Sequence, residues 1–252
     1  MRIQYASDLH IEFPENKKFL KTNPIEPVGD ILVLAGDIVP FAVLEKHRDF
    51  FNYLSDNFEN VYWIPGNHEY YFFNLPDKSG TFHEKLKDNV HLLNNTIIEN
   101  DAAALVFTTL WTHISPANQW SIFNSMNDFR LIKYHNDTFS VEQYNLLHQK
   151  SLDFLTKAFS SIKTGKVAVI SHHVPTFLNY PVKYKGDSLN EAFAVELFDM
   201  IGLYKPDCWI YGHNHYNTDD FLIGKTKLLT NQLGYLQNNE HKHFKTNSVF
   251  MM

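Results

Sequence analysis

The chain has 252 residues, 44% of them hydrophobic, which suits a globular protein with a sizeable core. Its net charge is −6, so the bulk charge offers no broad basic face for nucleic acid. The single cysteine, Cys208, excludes an intramolecular disulfide and is expected to be a small core residue. No apolar run approaches the roughly 18 residues that cross a bilayer, and no secretory signal is seen, so we expect a cytoplasmic protein without a membrane partner.

The first half of the chain predicts strands that alternate with helices. Apolar runs at residues 3–6 and 31–35 predict strands, and the Pro-, Lys- and Asn-rich residues 14–29 between them predict a surface loop. Residues 41–57 carry apolar side chains at helical spacing, and residues 61–64 predict the next strand. This alternation predicts parallel strands joined by right-handed crossovers.

The second half predicts strands of both orientations. Three β-rich runs at residues 90–93, 96–99 and 104–110 have connections too short for helices, so we expect them to pair antiparallel. Ser140 and Gln143 form a capping-box start for a helix to about residue 162. The later elements are a strand at 167–170, a helix at 190–203, a strand at 207–211 and a hairpin of 220–223 with 227–230, followed by a polar, irregular last dozen residues until Val249. No linker interrupts the chain, so we expect a single domain over residues 1–252.

Five short clusters of metal-ligand side chains come at the ends of apolar runs. They are Asp8-Leu9-His10, Gly36-Asp37, Gly66-Asn67-His68-Glu69, Ser171-His172-His173 and Gly212-His213-Asn214-His215. Open α/β sheets build their sites at the exits of successive buried strands, so these side chains should meet. Any one cluster has a structural interpretation, such as a turn or a helix cap. Five in series predict a hydrolase with two metal ions.

The ligand types and their spacing narrow the chemistry. Carboxylate, imidazole and amide oxygen suit ions such as Mn, Fe or Zn, and the lack of thiolate ligands disfavours structural zinc. Asp8 and His10 lie two residues apart and can close on one ion, and His213 and His215 repeat that spacing. Asp37 follows the most apolar strand, where a carboxylate needs a positive partner. Its two oxygens make it the natural bridge between two cations.

In order and spacing, these motifs resemble the calcineurin-like metallophosphoesterase superfamily across residues 8–215. The resemblance implies an α/β fold in which a two-sheet β-sandwich of mixed strands is flanked by helices, in four α-β-β-α layers. It also implies two metal ions, one held by Asp8, His10 and His215 and the other by Asn67, His172 and His213, with Asp37 bridging. His173 is the alternative ligand at the fourth motif. We favour His172, because it follows its strand more closely, and expect His173 to line the pocket.

The resemblance implies a mechanism as well. Two ions would share a hydroxide and present it in line to phosphorus. His68 resembles the histidine that contacts the phosphate and protonates the departing oxygen, with Asn67 beside it and Glu69 holding its other ring nitrogen. Further candidates around the pocket are Trp111, His113 and Arg130, and a lid formed by Tyr180, Lys183, Tyr184 and Lys185. For Arg130 a surface salt bridge is the simpler interpretation, and for the lid it is a solvated loop with packed tyrosines.

Departures from the motifs of particular branches of the superfamily narrow the range of possible substrates. Gly36-Asp37 is not followed by the aspartate–arginine pair of protein phosphatases, Glu69 stands where repair nucleases tend to have aspartate, and Asp8 stands where RNA lariat debranching enzymes often have cysteine. We therefore expect a phosphoesterase that hydrolyses a small phosphodiester or a nucleotide. The alternatives are a nuclease acting on single-stranded nucleic acid and a non-catalytic binding scaffold.

Overall fold

The computed structural model describes residues 1–135 and 137–252. Within these residues the strands are β1 (Arg2–Ala6), β2 (Ile31–Ala35), β3 (Asn60–Ile64), β4 (Phe82–Lys87), β5 (Val90–Asn94), β6 (Thr96–Glu99), β7 (Ala104–Thr108), β8 (Lys133–Tyr134), β9 (Asp137–Thr138), β10 (Val167–Ser171), β11 (Cys208–Tyr211), β12 (Phe221–Ile223), β13 (Thr226–Thr230) and β14 (Val249–Met251). The α-helices in the same ranges are α1 (Pro14–Thr22), α2 (Arg48–Asn57), α3 (Gln119–Ser125), α4 (Asp128–Leu131), α5 (Val141–Ser161) and α6 (Phe198–Tyr204).

Two six-stranded sheets form the body of the part described. The first has the order β14-β1-β2-β3-β5-β4, with a parallel centre from β1 to β5 and antiparallel edges. The second has the order β12-β13-β11-β10-β7-β6 and repeats that plan. The parallel strands carry the functional motifs at their carboxyl ends, so both sheets deliver these motifs to one region.

Alternation along the strands divides the core into layers. In β2, the side chains of Ile31, Val33 and Ala35 belong to a cluster shared with the strands of the second sheet. Leu32 and Leu34 of the same strand belong to a second cluster with residues of α1 and α2. A third cluster joins the outer face of the second sheet to α5 and α6. This period of two produces the α-β-β-α layers, so the predicted fold class is confirmed.

Residues 14–29 are not simply the surface loop predicted from their composition. Pro14 stands at the first helical position of α1, where its missing N–H costs nothing, and the helix runs to Thr22. The amide of Asn16 is buried and donates to the carbonyls of Leu9 and Gly234, at 3.0 and 2.8 Å. Tertiary hydrogen bonds of this kind leave no trace in local composition.

The pairing predicted for residues 90–110 is half right. β6 and β7 pair antiparallel as expected, but β5 belongs to the other sheet, parallel to β3. The chain changes sheets at Asn94 and Asn95, and Asn95 adopts a φ of 47° that permits the sharp turn. The antiparallel neighbour of β5 is β4, a strand that sequence reasoning missed.

The helix predicted over residues 190–203 forms only at its two ends. A 3-10 turn covers Asn190–Ala192, and α6 begins at Phe198. The backbone between them pairs with Val174 instead, so its hydrogen-bonding groups are already used.

The capping box of α5 is present as predicted, and Cys208 is fully buried between the sheets. Among the described residues, we find no helix with the length and apolar character needed to cross a membrane.

Candidate metal centre

Two groups of acceptor atoms converge where the parallel strands end, and Asp37 belongs to both. We call them the Asp8 cluster (Asp8, His10, Asp37, His215) and the Asn67 cluster (Asp37, Asn67, His172, His213). The ligand atoms of the first cluster lie within 4.8 Å of one another, as do those of Asp37, His172 and His213 in the second. Every one of the seven ligand residues expected from the sequence lies in one of these clusters.

The two oxygens of Asp37 face different clusters. Its Oδ2 lies 3.8 Å from His10 Nε2, and its Oδ1 lies 3.4 Å from His172 Nε2. On the other side of the Asp8 cluster, Asp8 Oδ1 lies 3.4 Å from His215 Nε2. The Asn67 amide oxygen lies 3.2 Å from His172 Nε2. One oxygen of Asp37 therefore faces each cluster.

The outer nitrogen of each histidine contacts an acceptor, which determines what the inner nitrogen presents. In the Asp8 cluster the outer partners are carboxylates: Glu12 for His10 at 3.3 Å and Glu240 for His215 at 2.7 Å. In the Asn67 cluster they are backbone carbonyls: Ala35 for His172 at 2.9 Å and Ala192 for His213 at 3.2 Å. A neutral ring that donates outward presents a lone pair inward.

These inner nitrogens face each other in pairs. His10 Nε2 and His215 Nε2 lie 3.0 Å apart, and so do His172 Nε2 and His213 Nδ1. Two lone pairs at that distance repel unless a proton or a metal ion lies between them. With carboxylate and amide oxygens added, each cluster offers the acceptors that a metal ion requires, so these residues fit a pair of ions.

The field of the carboxylates draws positive charge to both clusters. Burial alone would lower the pKa of His215, but Asp8 and Glu240 raise that pKa to about 10. Burial also opposes charge on His172, yet Asp37 raises its pKa to about 9. The same field that favours a proton on these rings favours a divalent ion.

The backbone at the site is held in conformations that most residues avoid. Positive φ angles between 46° and 81° occur at Asp8, His10, Asp37, His213 and His215. Such strain persists only where the surrounding structure over-determines it, and it concentrates at functional sites. Gly66 has a different role, because its missing side chain lets Asp37 and His172 approach the backbone closely. A Cβ atom at Gly66 would lie 2.2 Å from Asp37 Oδ1 and 2.6 Å from His172 Nε2.

His173 does not join either cluster. It is fully buried, its Nδ1 lies 3.2 Å from the carbonyl of Thr109, and its ring packs against Trp111. Burial lowers its pKa to about 3, as expected of a neutral core histidine. His172 is therefore the histidine of the fourth motif that the structure brings to the acceptor clusters, and His173 lies behind it.

His68 lies above the Asp8 cluster, with 15% of its side chain exposed. Its ring is 4.6 Å from that of His10 and 4.1 Å from that of Tyr71. Its Nε2 lies 3.4 Å from the hydroxyl of Tyr235, and its Nδ1 lies 3.9 Å from Glu12 Oε1. Burial disfavours charge on His68, but Asp37 and Glu12 raise its pKa.

Glu69 does not hold the ring of His68, and that part of the sequence interpretation is wrong. Its buried carboxylate accepts backbone N–H groups from Asp37, Ile38 and Gly66 at 2.6 to 2.9 Å. It also accepts the indole N–H of Trp63 at 3.1 Å. Glu69 thus ties the loop after β2 to the loop after β3, and it fixes the backbone that presents Asp37.

Asp128 is a site residue that sequence reasoning missed. It is buried at the start of α4 and accepts from Asn67 Nδ2 at 2.9 Å and from the Tyr71 hydroxyl at 2.8 Å. Because Asp128 takes the amide nitrogen, the amide oxygen of Asn67 must point to the cluster. No spacing pattern pointed to Asp128, since it lies 61 residues from Asn67.

A cavity of about 230 Å³ opens above both clusters. Its described lining is Asp37, Asn67, His68, Tyr71, Ser125, Met126, Asn127, Tyr184, Phe193, His213, Asn214, His215, Tyr235 and Glu240. Of the predicted lid, only Tyr184 is in this set, with Lys183 resting 4.5 Å from its ring centre. Trp111, His113 and Arg130 are not in it. Arg130 donates to the carbonyl of Asn124, and it forms no salt bridge within residues 1–135 and 137–252.

Comparison with known proteins decides the family. A sequence model of the calcineurin-like phosphoesterases matches residues 1–217. The chain belongs to the calcineurin-like phosphoesterase family. It is therefore a metal-dependent phosphohydrolase, as its motifs predicted.

Two similar proteins extend this finding. This phosphoesterase is 34% identical to the uncharacterized protein L509 of Acanthamoeba polyphaga mimivirus over 268 residues, which covers 93% of this chain and 92% of the relative. Phosphopantetheinyl hydrolase from Mycobacterium tuberculosis shares its fold, with a TM-score of 0.71 at 15% identity over 99% of this chain and 95% of that one.

The Glu69→Gln variant of this phosphoesterase should be less stable. The carboxamide nitrogen would face N–H donors, leaving a buried group unsatisfied, so we expect a loss of about 1–3 kcal/mol in the free energy of unfolding. Urea denaturation of the metal-free protein measures it. Glu59→Gln, at an exposed glutamate, is the matched control and should leave the midpoint unchanged. Equal midpoints for both variants would contradict the role given to Glu69.

The Gly66→Ala variant should bind metal more weakly. The added methyl group would displace Asp37, His172 or both, so the shared carboxylate would no longer face both clusters. Manganese binding, followed by electron paramagnetic resonance, should be weaker by roughly tenfold or more, as for other disturbed ligand geometries. Gly165→Ala, where a Cβ atom meets nothing within 4 Å, is the control. Unchanged affinity at Gly66→Ala would show that the close packing there is not needed.

Proposed function

We propose that this protein hydrolyses a small phosphodiester with two metal ions. One ion would be held by Asp8, His10 and His215 and the other by Asn67, His172 and His213, with Asp37 bridging. The observation that carries the proposal is the position of Asp37, whose two oxygens each face a separate pair of converging ring nitrogens. When bound, such ions neutralise phosphoryl oxygens and activate water. Their oxygen and imidazole ligands suit Mn, Fe or Zn.

The residues of the chain then have distinct roles. The ligands and their outer partners hold the ions, and Asn67 presents its oxygen because Asp128 binds its nitrogen. His68 is the general acid, since its ring stands at the cavity wall beside the Asp8 cluster and is not a proposed ligand. Tyr71 and Tyr235 flank that ring and limit its rotation. Glu69 acts on the backbone of the loops and does not touch the substrate.

The charge of the cavity favours a diester over a monoester. Among the described residues that line it there is no lysine or arginine, and His68 is the lining histidine that is not a proposed ligand, so little positive charge is available apart from the ions. A monoester dianion needs more positive charge than a singly charged diester. The aromatic and amide groups of Tyr184, Phe193 and Asn127 suit a nucleoside or a similar organic substituent.

The size of the cavity favours a small substrate. At about 230 Å³ it falls below the roughly 300–1,000 Å³ of pockets that enclose a drug-sized ligand. A nuclease would need a basic track for the flanking phosphates, which the net charge of −6 does not suggest. A binding scaffold would not need every ligand position filled together with the outer acceptors.

We also propose that residues 1–252 act as one domain, because Tyr235 and Glu240 near the end of the chain complete the site.

The diester assignment is tested by two chromogenic substrates. Protein reconstituted with manganese should hydrolyse bis(p-nitrophenyl) phosphate with a kcat/KM at least about tenfold above that for p-nitrophenyl phosphate. A preference for the monoester would overturn the argument from cavity charge. No turnover of either substrate, with two manganese ions per chain verified, would favour the scaffold. Cleavage of a single-stranded oligonucleotide well above both would favour the nuclease.

His68→Ala should separate acid catalysis from metal binding. The variant should keep two manganese ions per chain, because His68 is not a proposed ligand. It should lose roughly 10²–10⁴-fold in kcat on a dinucleoside phosphate, whose alkoxide leaving group needs a proton. The loss on bis(p-nitrophenyl) phosphate should be much smaller, because nitrophenolate leaves without one. His113→Ala, at an exposed histidine, is the matched control. An unchanged rate on the dinucleoside phosphate would refute the assignment.

A further inference from the structure

The family resemblance implied that Glu69 holds the His68 ring, and the structure leaves that position to another carboxylate. Glu69 accepts from five N–H donors, and none of these hydrogen bonds comes from the His68 ring. Among the described acidic groups, Glu12 is the one within 4 Å of a His68 ring nitrogen, with 3.9 Å between His68 Nδ1 and Glu12 Oε1. The same oxygen lies 3.3 Å from His10 Nδ1. Glu12 therefore lies between a ligand of the Asp8 cluster and the proposed acid.

Glu12 is not an ordinary surface glutamate. Its side chain is 15% exposed, and its second oxygen, Oε2, is buried without a hydrogen-bond partner among the described residues. A buried carboxylate oxygen without a partner is costly and calls for a specific reason. Its charge is met by imidazole alone, since no lysine or arginine in the described part of the chain forms an ion pair with it.

We propose that Glu12 is the positioning residue of both His10 and His68, and that it couples the Asp8 cluster to the acid. It orients His10 by accepting from Nδ1–H, which directs the Nε2 lone pair to the ion. It orients His68 through Nδ1, which directs Nε2 to the cavity where a leaving group departs. The present distance of 3.9 Å exceeds hydrogen-bonding range, and such contacts tighten when substrate binds. The oxygen that faces His68 is Oε1, and a carboxylate oxygen has a second lone pair beyond the one that His10 uses.

Glu12 would act on His10 and on His68 in different steps. A positioning role can therefore be distinguished experimentally from a purely structural one. The contact with His10 exists without substrate, so its loss should appear in metal binding. The contact with His68 matters when a proton is transferred, so its loss should appear on poor leaving groups. A residue that only supports the fold would lower stability and affect all substrates alike.

The test uses Glu12→Gln and Glu12→Ala in the full chain, with Glu15→Gln on the exposed face of α1 as the matched control. With both sites saturated with manganese, Glu12→Ala should lower kcat/KM on the dinucleoside phosphate by roughly 10- to 100-fold, and much less on bis(p-nitrophenyl) phosphate. Glu12→Gln keeps one acceptor and should fall between Glu12→Ala and the native protein. Equal losses on the two substrates would overturn the proposal.

A double-mutant cycle gives the second readout. If Glu12 acts through His68, then adding Glu12→Ala to His68→Ala should cost little further on the dinucleoside phosphate at saturating manganese. Full additivity of the two losses would overturn the link.

The third readout is independent of turnover: manganese should bind Glu12→Ala roughly 10- to 100-fold more weakly at one of two sites. Unchanged affinity would remove the role at His10.

This inference rests on the proposed function, and the experiments distinguish their failures. If native protein with two bound ions hydrolyses neither diester, the proposed function fails, and the manganese titration still decides the role of Glu12 at His10. If native protein is active and Glu12→Ala matches Glu15→Gln in rate, leaving-group dependence and metal affinity, the inference about Glu12 fails while the proposed function stands.

Discussion

The organisation of this protein depends on one region between its two sheets where lone-pair acceptor atoms outnumber the N–H and O–H donors that could satisfy them. Two pairs of imidazole nitrogens face each other at 3.0 Å, and the carboxylates of Asp8 and Asp37 lie among them. Without positive charge that arrangement is repulsive, and its outer partners prevent the rings from turning their N–H groups inward. The stability of the site and its chemistry are therefore linked, because the cations that would relieve the repulsion are also those that would bind a phosphoryl group.

The two clusters differ in how much negative charge surrounds them, and the difference follows from the outer partners of their histidines. The histidines of the Asp8 cluster contact carboxylates, Glu12 and Glu240, whereas those of the Asn67 cluster contact backbone carbonyls. Asn67 is itself neutral, and its negative partner Asp128 is one residue further out. More negative charge therefore surrounds the Asp8 cluster, which should bind its ion more tightly.

Much of this site could be predicted because its residues occur in short motifs that directly follow predicted strands. Each motif follows a run of apolar residues, such as 31–35 before Asp37, and parallel strands bring such exits to one edge. Even the choice of His172 over His173 followed from its distance to the strand. Glu12 extends the alternation of Asp8 and His10 by one more step, so the sequence held a signal there that the interpretation did not use. Asp128 held none, because its role depends on a contact with Asn67 that only the folded chain creates.

The segment after β13 shows most clearly why the rest required the structure. By composition it is polar and irregular, yet it is bonded to the loop that carries Asp8: Leu233 donates to the Ser7 carbonyl at 3.1 Å and Gly234 to the Asp8 carbonyl at 3.0 Å. Those bonds help to hold the strained backbone around Asp8, and they place Tyr235 and Glu240 at the cavity. The segment lies beyond residue 217, where the family match ends. The family motifs supply the proposed ligands of this phosphoesterase, and the segment after residue 217 supplies part of the cavity wall.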